Sequence, residues 1–280
     1  LIQVDRDATQ WGKSKIPDLY TVADVKEYTA ELLQALRAAV PQRERDNERI
    51  SGVAEVKGLW EEELAEWSSS TDELMHPRRF FQELAAAVPS NARIATDIGN
   101  TCSISNGYLK FEGTRQFLPA LTWGNCGFAY GAAMGAKIGV PDAPAIAIQG
   151  DGAWGISGLA EVMTAVREEI PVVAIVVNNF EWGAEKKNQI DFYGDRFVGT
   201  NLRQNPDYAQ VAEAMGARGY KVTDYREVQD VVREAVASGE PCVINALVEG
   251  GANALAEPFR RDALALPTRL LEKYAHLNLS

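Results

Sequence analysis

The chain has 280 residues, enough for one large domain or two modest ones, each able to bury a core. Apolar residues make up 46% of it, yet no stretch reaches the roughly 18 to 20 uninterrupted apolar residues that a membrane-spanning helix needs. A formal net charge of -11, with no basic stripe, argues against binding nucleic acid or an anionic membrane, so any anion must be held by local groups.

In chain order, "LIQVDRD" reads as a strand already under way, which makes the sequence look like a piece that starts inside a larger protein. A turn follows, then "VADVKEYTAELLQALRAAV", whose apolar residues recur every three or four positions as one helix face requires. Residues 1–40 therefore hold too little to close a core and belong to a preceding domain. Residues 41–75 are charged and carry no strand pattern; they read as a linker, with an exposed helix in "VAEVKGLWEEELAEW".

After His76 the rhythm changes. "RIATD" (93–97), "AIAIQ" (145–149), "VVAIVVN" (172–178) and "CVINALV" (242–248) are too apolar and β-branched for one-sided strands. Helical patterns lie between them at 78–88, 127–139, 157–168 and 226–237. Residues 76–280 thus predict an α/β domain, a doubly wound, mostly parallel sheet with helices on both faces. Gly127, Gly131, Gly135 and Gly139 recur at four-residue spacing and predict close packing along one helix face.

Three cysteines, Cys102, Cys126 and Cys242, form no CxxC pair and are too few for a disulfide scaffold, which suits a reducing cytoplasm. Two histidines, His76 and His276, leave little material for a histidine metal cluster or a His-based triad.

Ligands of such sheets bind beyond the carboxyl ends of the strands. Three polar clusters fall there: Asp97-Ile98-Gly99-Asn100, Gly150-Asp151-Gly152 and Asn178-Asn179. The glycines permit close backbone approach, and Asp151 offers a hard oxygen beside the amides of a starting helix, a combination suited to a magnesium-bound phosphate. An isolated Gly-Asp-Gly is more often only a tight turn. The pairing carries the signal: 25 residues separate Gly152 from Asn178, room for one helix and one strand that return to the same sheet edge.

With these motifs the chain resembles the thiamine diphosphate-dependent enzymes related to acetolactate synthase and pyruvate decarboxylase. The resemblance implies that Asp151 and the Asn179 side chain ligate Mg2+ together with the backbone carbonyl of Glu181. It aligns Asn100 and Thr101, which could equally cap a helix starting near Cys102, with the loop that touches the diphosphate, and sets Gly152 and Ala153 beside them. "TWGNCGFAYGAAMGAKIG" (122–139) matches the segment in which Gly124 would offer a carbonyl to the aminopyrimidine and Cys126 would wedge the cofactor into its bent form. Leucine, isoleucine or methionine is the usual wedge, so cysteine is a departure. Trp123, Trp154 and Trp182 read as packing residues.

"NNFEWGAEKKNQIDFYGDRFVGT" (178–200) and "EPFRRDALALPTRLLEKY" (257–274) narrow the resemblance to the sulfoacetaldehyde acetyltransferases. That implies conversion of sulfoacetaldehyde and phosphate to acetyl phosphate and sulfite, so a sulfonate and a phosphate must be held by Arg or Lys. Lys186, Arg260 and Arg261 are the first candidates, with Lys187 and Arg196 behind them. The resemblance covers the end of a middle domain (1–40), a linker (41–75) and the diphosphate-binding domain (76–280). The glutamate that activates the cofactor is expected on a pyrimidine-binding half outside this chain, either the missing N-terminal part or a partner chain, in a homodimer or homotetramer core. The chain alone is then expected to be inactive. Two readings stay open beside it: an acetolactate synthase or 2-oxo acid decarboxylase with the same cofactor, and a non-catalytic diphosphate-domain subunit.

Overall fold

The computed structural model describes residues 1–41, 44–121, 123–203 and 206–251. The chain divides into two units, Leu1–Glu55 and the part from Val56 onward. In the first, strands β1 (Ile2–Asp5) and β2 (Leu19–Val22) pair in parallel, followed by helix α1 (Val25–Ala39) and the start of α2 (Asn47–Trp67). Asp24 caps α1 by accepting the Lys26 N–H, yet no residue of α1 is buried. This accords with a segment too small to close a core of its own.

The second unit holds a six-stranded sheet in the order β4-β3-β5-β6-β8-β7, every pairing parallel. Its strands are β3 (Arg93–Thr96), β4 (Phe117–Pro119), β5 (Ala145–Gly150), β6 (Val172–Asn178), β7 (Arg218–Val222) and β8 (Cys242–Leu247). The four expected strands are the central ones. Of the two edge strands, β7 (RGYKV) is polar and half exposed, and β4 is apolar but only three residues long and ends on Pro119, a residue tolerated at a sheet edge.

Alternation along β5 and β6 explains the two helix layers. Ile146, Ile148, Val173, Ile175 and Val177 face one core, with Phe80, Phe81 and Leu84 of α3 (Pro77–Ala87), Ile104 of α4 (Asn100–Tyr108) and Val228 and Val232 of α10 (Tyr225–Ala237). Ala145, Ala147, Val172, Ala174 and Val176 face the other, with Ala129, Tyr130 and Ala133 of α5 (Ala129–Gly139), Trp154 of α6 (Asp151–Ile156), Val162 of α7 (Val162–Arg167) and Ala212 of α9 (Tyr208–Ala214). Small residues on β5 meet small residues on α5, so helix and sheet approach closely there.

Several expectations change in detail. The segment read as a linker carries α2, and its Trp60, Leu64 and Met75 are buried in the first of these cores. The helix expected over 157–168 is shorter, α7 (Val162–Arg167), and a separate short helix, α6, precedes it, starting directly at Asp151. Gly158 lies between them at φ +129, and a Cβ there would sit 2.7 Å from the Trp154 ring, so the chain must turn tightly over that ring. The glycine face of α5 is not packed by the described residues: among them a Cβ at Gly131, Gly135 or Gly139 would meet nothing within 4 Å. Among the described residues no helix is long and apolar enough to cross a membrane.

Candidate active site

β3 connects onward to β4 on one side and, by a longer path, to β5 on the other, so the strand order reverses between β3 and β5. A ligand crevice is expected at such a reversal. A cavity of about 250 Å3 opens there, lined by the residues that follow β3, β4, β5, β6 and β8.

Asn100, Thr101, Gly124, Cys126, Asp151, Gly152, Ala153, Asn179 and Glu181 all line this one cavity. Asp151 begins α6 directly after β5 and is only 2% exposed. Asn100 and Thr101 are the first residues of α4, with Gly99 in the cap position at φ +116; they are helical rather than capping. Neither polar atom of the Asn100 side chain is solvent-accessible or has a hydrogen-bond partner among the described residues. A buried amide is normally satisfied, so this one is set for a ligand.

The two asparagines after β6 divide their work. Asn178 is buried; its amide donates to Asn245 Oδ1 at 3.2 Å and its carbonyl oxygen accepts the Phe180 N–H at 3.2 Å. Asn179 turns to the cavity, and its Oδ1 accepts the Glu181 N–H at 3.2 Å. Phe180, the next residue, takes φ +58, an uncommon conformation for a bulky residue, which marks a tight turn between Asn179 and Glu181.

The Glu181 carboxylate is occupied elsewhere: it pairs with Lys186 and accepts the Gly251 N–H at 2.9 Å. Gly250 must be glycine for this, because a Cβ would lie 2.9 Å from the Asn179 carbonyl oxygen. Lys186, expected to meet a substrate anion, is held by Glu181 and by Asn201 Oδ1 at 3.1 Å and is not part of the cavity wall. Lys187 pairs with Asp191 at 2.6 Å, and the Arg196 side chain donates to the Tyr193 carbonyl at 3.2 Å. Arg260 and Arg261 lie outside the described residues. Of the three tryptophans, Trp154 is fully buried against Tyr130, Trp123 is 90% exposed, and Trp182 walls the cavity with its ring over Gly152.

Residues given no role from sequence also matter here. Asp97 ends β3 and is fully buried; it accepts the N–H groups of Gly127 at 2.9 Å and of Phe128 and Ala129 at 2.7 Å each, plus the Gln149 amide. Burial pushes its carboxyl above the usual range, against the opposing pull of those four donors. Its place at a strand end was visible in sequence, but its partners thirty residues away were not. Glu185 and Asn188 of α8 (Gly183–Tyr193) complete the cavity rim.

Cys126 is partly exposed, and burial followed by the charges of Asp97 and Glu185 holds its thiol above the ordinary value. It is therefore a neutral packing group at pH 7 rather than a nucleophile. Alkylation of Cys126 by iodoacetamide at pH 8, followed residue by residue with mass spectrometry, should be slower than that of a free cysteine. Glu185→Gln should speed it about threefold by removing one nearby negative charge. A rate equal to free cysteine and insensitive to Glu185 would refute this account.

Among the described residues no group of three His, Cys, Asp or Glu side chains could hold a metal by itself. The donors present are one buried carboxylate, Asp151, one amide, Asn179, and backbone oxygens. Such a set suits Mg2+ that completes its shell with phosphate oxygens and water. The orphaned Asn100 amide and the lack of room for any side chain at Gly152 fit a diphosphate lying along the same wall.

Comparison with known proteins agrees with this geometry. Residues 97–246 match the model of the thiamine pyrophosphate enzyme, C-terminal TPP binding domain. The sulfoacetaldehyde acetyltransferase of Castellaniella defragrans is 38% identical over 98% of this chain and 48% of its own length. A probable acetolactate synthase large subunit of Methanocaldococcus jannaschii is 29% identical over 89% of the chain and 42% of its own length. The Rhodococcus jostii RHA1 thiamine diphosphate-dependent 4-hydroxybenzoylformate decarboxylase has a similar fold, with a TM-score of 0.71 over 90% of this chain and 44% of that one, at 20% identity. The chain thus spans about half the length of the curated relatives it matches. With the family's model matched from the end of β3 to the end of β8 and its cavity at the strand reversal, the chain belongs to the thiamine pyrophosphate enzymes and carries their C-terminal cofactor-binding domain.

Proposed function

We propose that the chain is the C-terminal part of a thiamine diphosphate- and Mg2+-dependent sulfoacetaldehyde acetyltransferase, which converts sulfoacetaldehyde and phosphate to acetyl phosphate and sulfite. The observation that carries the cofactor reading is the single cavity, at the strand reversal, that gathers Asp151, Asn179 and the unpartnered Asn100 amide. The substrate reading is supported by the 38% identity to a sulfoacetaldehyde acetyltransferase over nearly the whole chain.

In this reading Asp151, Asn179 and the Glu181 carbonyl would hold Mg2+, and Asn100, Thr101, Gly152 and Ala153 the diphosphate. Gly124 and Cys126 would face the rings. Bound thiamine diphosphate supplies the carbanion-stabilising chemistry, which no side chain of the protein provides. The chain's own part is to orient and to exclude water: Trp182 and Ile104 wall the site with apolar surface, and Asp97 holds the N–H groups of residues 127–129, directly after Cys126. Lys186, Arg260 and Arg261 are assigned to the sulfonate and the phosphate, and Lys186 must exchange its Glu181 partner to serve. Residues 1–40 are the end of a middle domain, joined through 41–75 to the diphosphate-binding domain, 76–280. The activating glutamate comes from a pyrimidine-binding half outside this chain, in a homodimer or homotetramer core placed in the cytoplasm.

The test is sulfite release from sulfoacetaldehyde by the intact protein, with Mg2+ and thiamine diphosphate, in the presence and absence of phosphate. Phosphate-dependent sulfite is the expected result. Pyruvate consumption without phosphate dependence would favour an acetolactate synthase or 2-oxo acid decarboxylase instead. Cofactor binding without turnover of either substrate would favour a non-catalytic subunit.

A further inference from the structure

We propose that Asp97 is a positioning residue, dedicated to the ring-binding side of the cavity: its carboxylate sets the conformation of residues 124–129 and thereby the places of Gly124 and Cys126. This rests on reading the cavity as the cofactor site. Asp97 is fully buried, and its partners among the described residues are neutral donors, three successive backbone N–H groups and the Gln149 amide. Burying a carboxylate without a cation is unfavourable unless several donors converge on it. Three consecutive amides can converge on one carboxylate only when the loop is folded into a concave turn, here with Gly124 at φ +68 and Gly127 at φ +81.

The same loop is pinned from its opposite side. A Cβ at Gly127 would lie 2.4 Å from Ser157 Cβ, so the backbone is pressed against the exit of α6. The Gln149 amide donates both to Asp97 and to the Ser157 carbonyl, the latter at 3.2 Å. Asp97, Gln149, Ser157 and Gly127 thus form a closed circuit joining the ends of β3 and β5 to the entrance of α5. Cys126 is the residue immediately before this circuit. Gly124 is anchored at its other end by its N–H bond to the Ala120 carbonyl at 2.9 Å. Asp151, Asn179 and Asn100, the groups assigned to the metal and diphosphate, are not among these donors to the Asp97 carboxylate; Asp151 and Asn179 stand on other segments, and Asn100 lies three residues beyond Asp97 at the start of α4.

An asparagine at position 97 keeps the shape but turns an amino group toward backbone donors, removing at least one charge-assisted bond. In the intact protein, Asp97→Asn should bind Mg-thiamine diphosphate about tenfold more weakly, the weight of one such bond. Its affinity for Mg2+ with inorganic pyrophosphate, which lacks the rings, should stay within about twofold, because the diphosphate groups are elsewhere. Isothermal calorimetry with the two ligands reads the split. A merely structural role would weaken both equally, and that result, or no change in either, overturns the proposal. If Asp97→Asn does not fold, Gln149→Met, which removes one donor and the tie to Ser157, should give the same split at smaller size; its absence is equally decisive. If the unmodified protein binds neither ligand, it is the cofactor reading that fails, and this inference falls with it.

Discussion

Replacing Asp151 by alanine should abolish Mg2+-dependent binding of thiamine diphosphate at any practical cofactor concentration. The carboxylate is 2% exposed at the cavity wall, at the first position of α6, and it is the buried charged oxygen ligand that the cavity offers. Magnesium keeps several waters and relies on one or two carboxylates plus phosphate oxygens, so removal of that carboxylate leaves only neutral donors. Outer partners of metal ligands alone are worth about 10- to 100-fold in affinity, so loss of the ligand itself should weaken binding by at least about 100-fold. Calorimetric titration with the cofactor at fixed Mg2+ measures this, and Asp151→Asn should recover only a small part because it restores shape without charge. Retention of affinity within a few-fold in Asp151→Ala would remove Asp151 from the metal site. Far-ultraviolet circular dichroism separates this from misfolding, since the residue lies at the start of a short helix and not in either core.

The second large effect is expected from a single methyl group. A Cβ at Gly152 would sit 2.8 Å from two atoms of the Trp182 ring, inside any normal contact distance. The main chain at Trp182 is fixed, its backbone N–H donating to the Thr200 carbonyl at 2.8 Å, so the ring must swing away from Gly152 or the backbone of α6 must retreat. Either movement disturbs the wall that the diphosphate would contact. Overpacking of this kind costs about 1–3 kcal/mol, and Gly152→Ala should accordingly weaken thiamine diphosphate roughly 30-fold. Gly155→Ala is the matched control in the same helix, because there the nearest atom to a Cβ is the Tyr208 hydroxyl at 4.0 Å. It should leave affinity unchanged. Adding Trp182→Ala to Gly152→Ala makes room for the methyl group, and the two changes should cost less together than their sum. Additive losses would mean that the glycine is present for a reason other than this contact.

The cavity explains why a carboxylate stands between two glycines at the end of β5. Gly150 closes the strand, Asp151 lines the crevice, and Gly152 leaves space for the Trp182 ring. All three roles concern the same few ångströms of wall, which is why the motif is so short.

Much of this was legible in the amino-acid order. Continuous β-branched runs marked the four central strands, since strands buried on both faces cannot alternate with polar residues, and the structure has them with small shifts at their ends. The interval between Gly152 and Asn178 brought Asp151 and Asn179 to one sheet edge, because a helix and a parallel strand return the chain there.

Only the tertiary structure decided the rest. Edge strand β7 has no continuous apolar run because part of it faces away from the core, and β4 is too short, at three residues ending in Pro119, to stand out from a loop. The break between α6 and α7 depends on the Trp154 ring passing under Gly158, a contact that helical periodicity cannot express. Lys186 looked available for an anion because sequence distance does not show that it pairs with Glu181. Likewise Gly127 and the glycines of α5 share one spacing, yet Gly127 is pressed against Ser157 while a Cβ at Gly131, Gly135 or Gly139 would meet nothing within 4 Å among the described residues. By itself, then, the sequence determined the elements, their order and the residues offered at the carboxyl edge, because these follow from local periodicity and turn chemistry. The partners of those residues were decided by the sheet order that lays β3 beside β5, because it brings Asp97 to amides thirty residues away and closes the cavity around them.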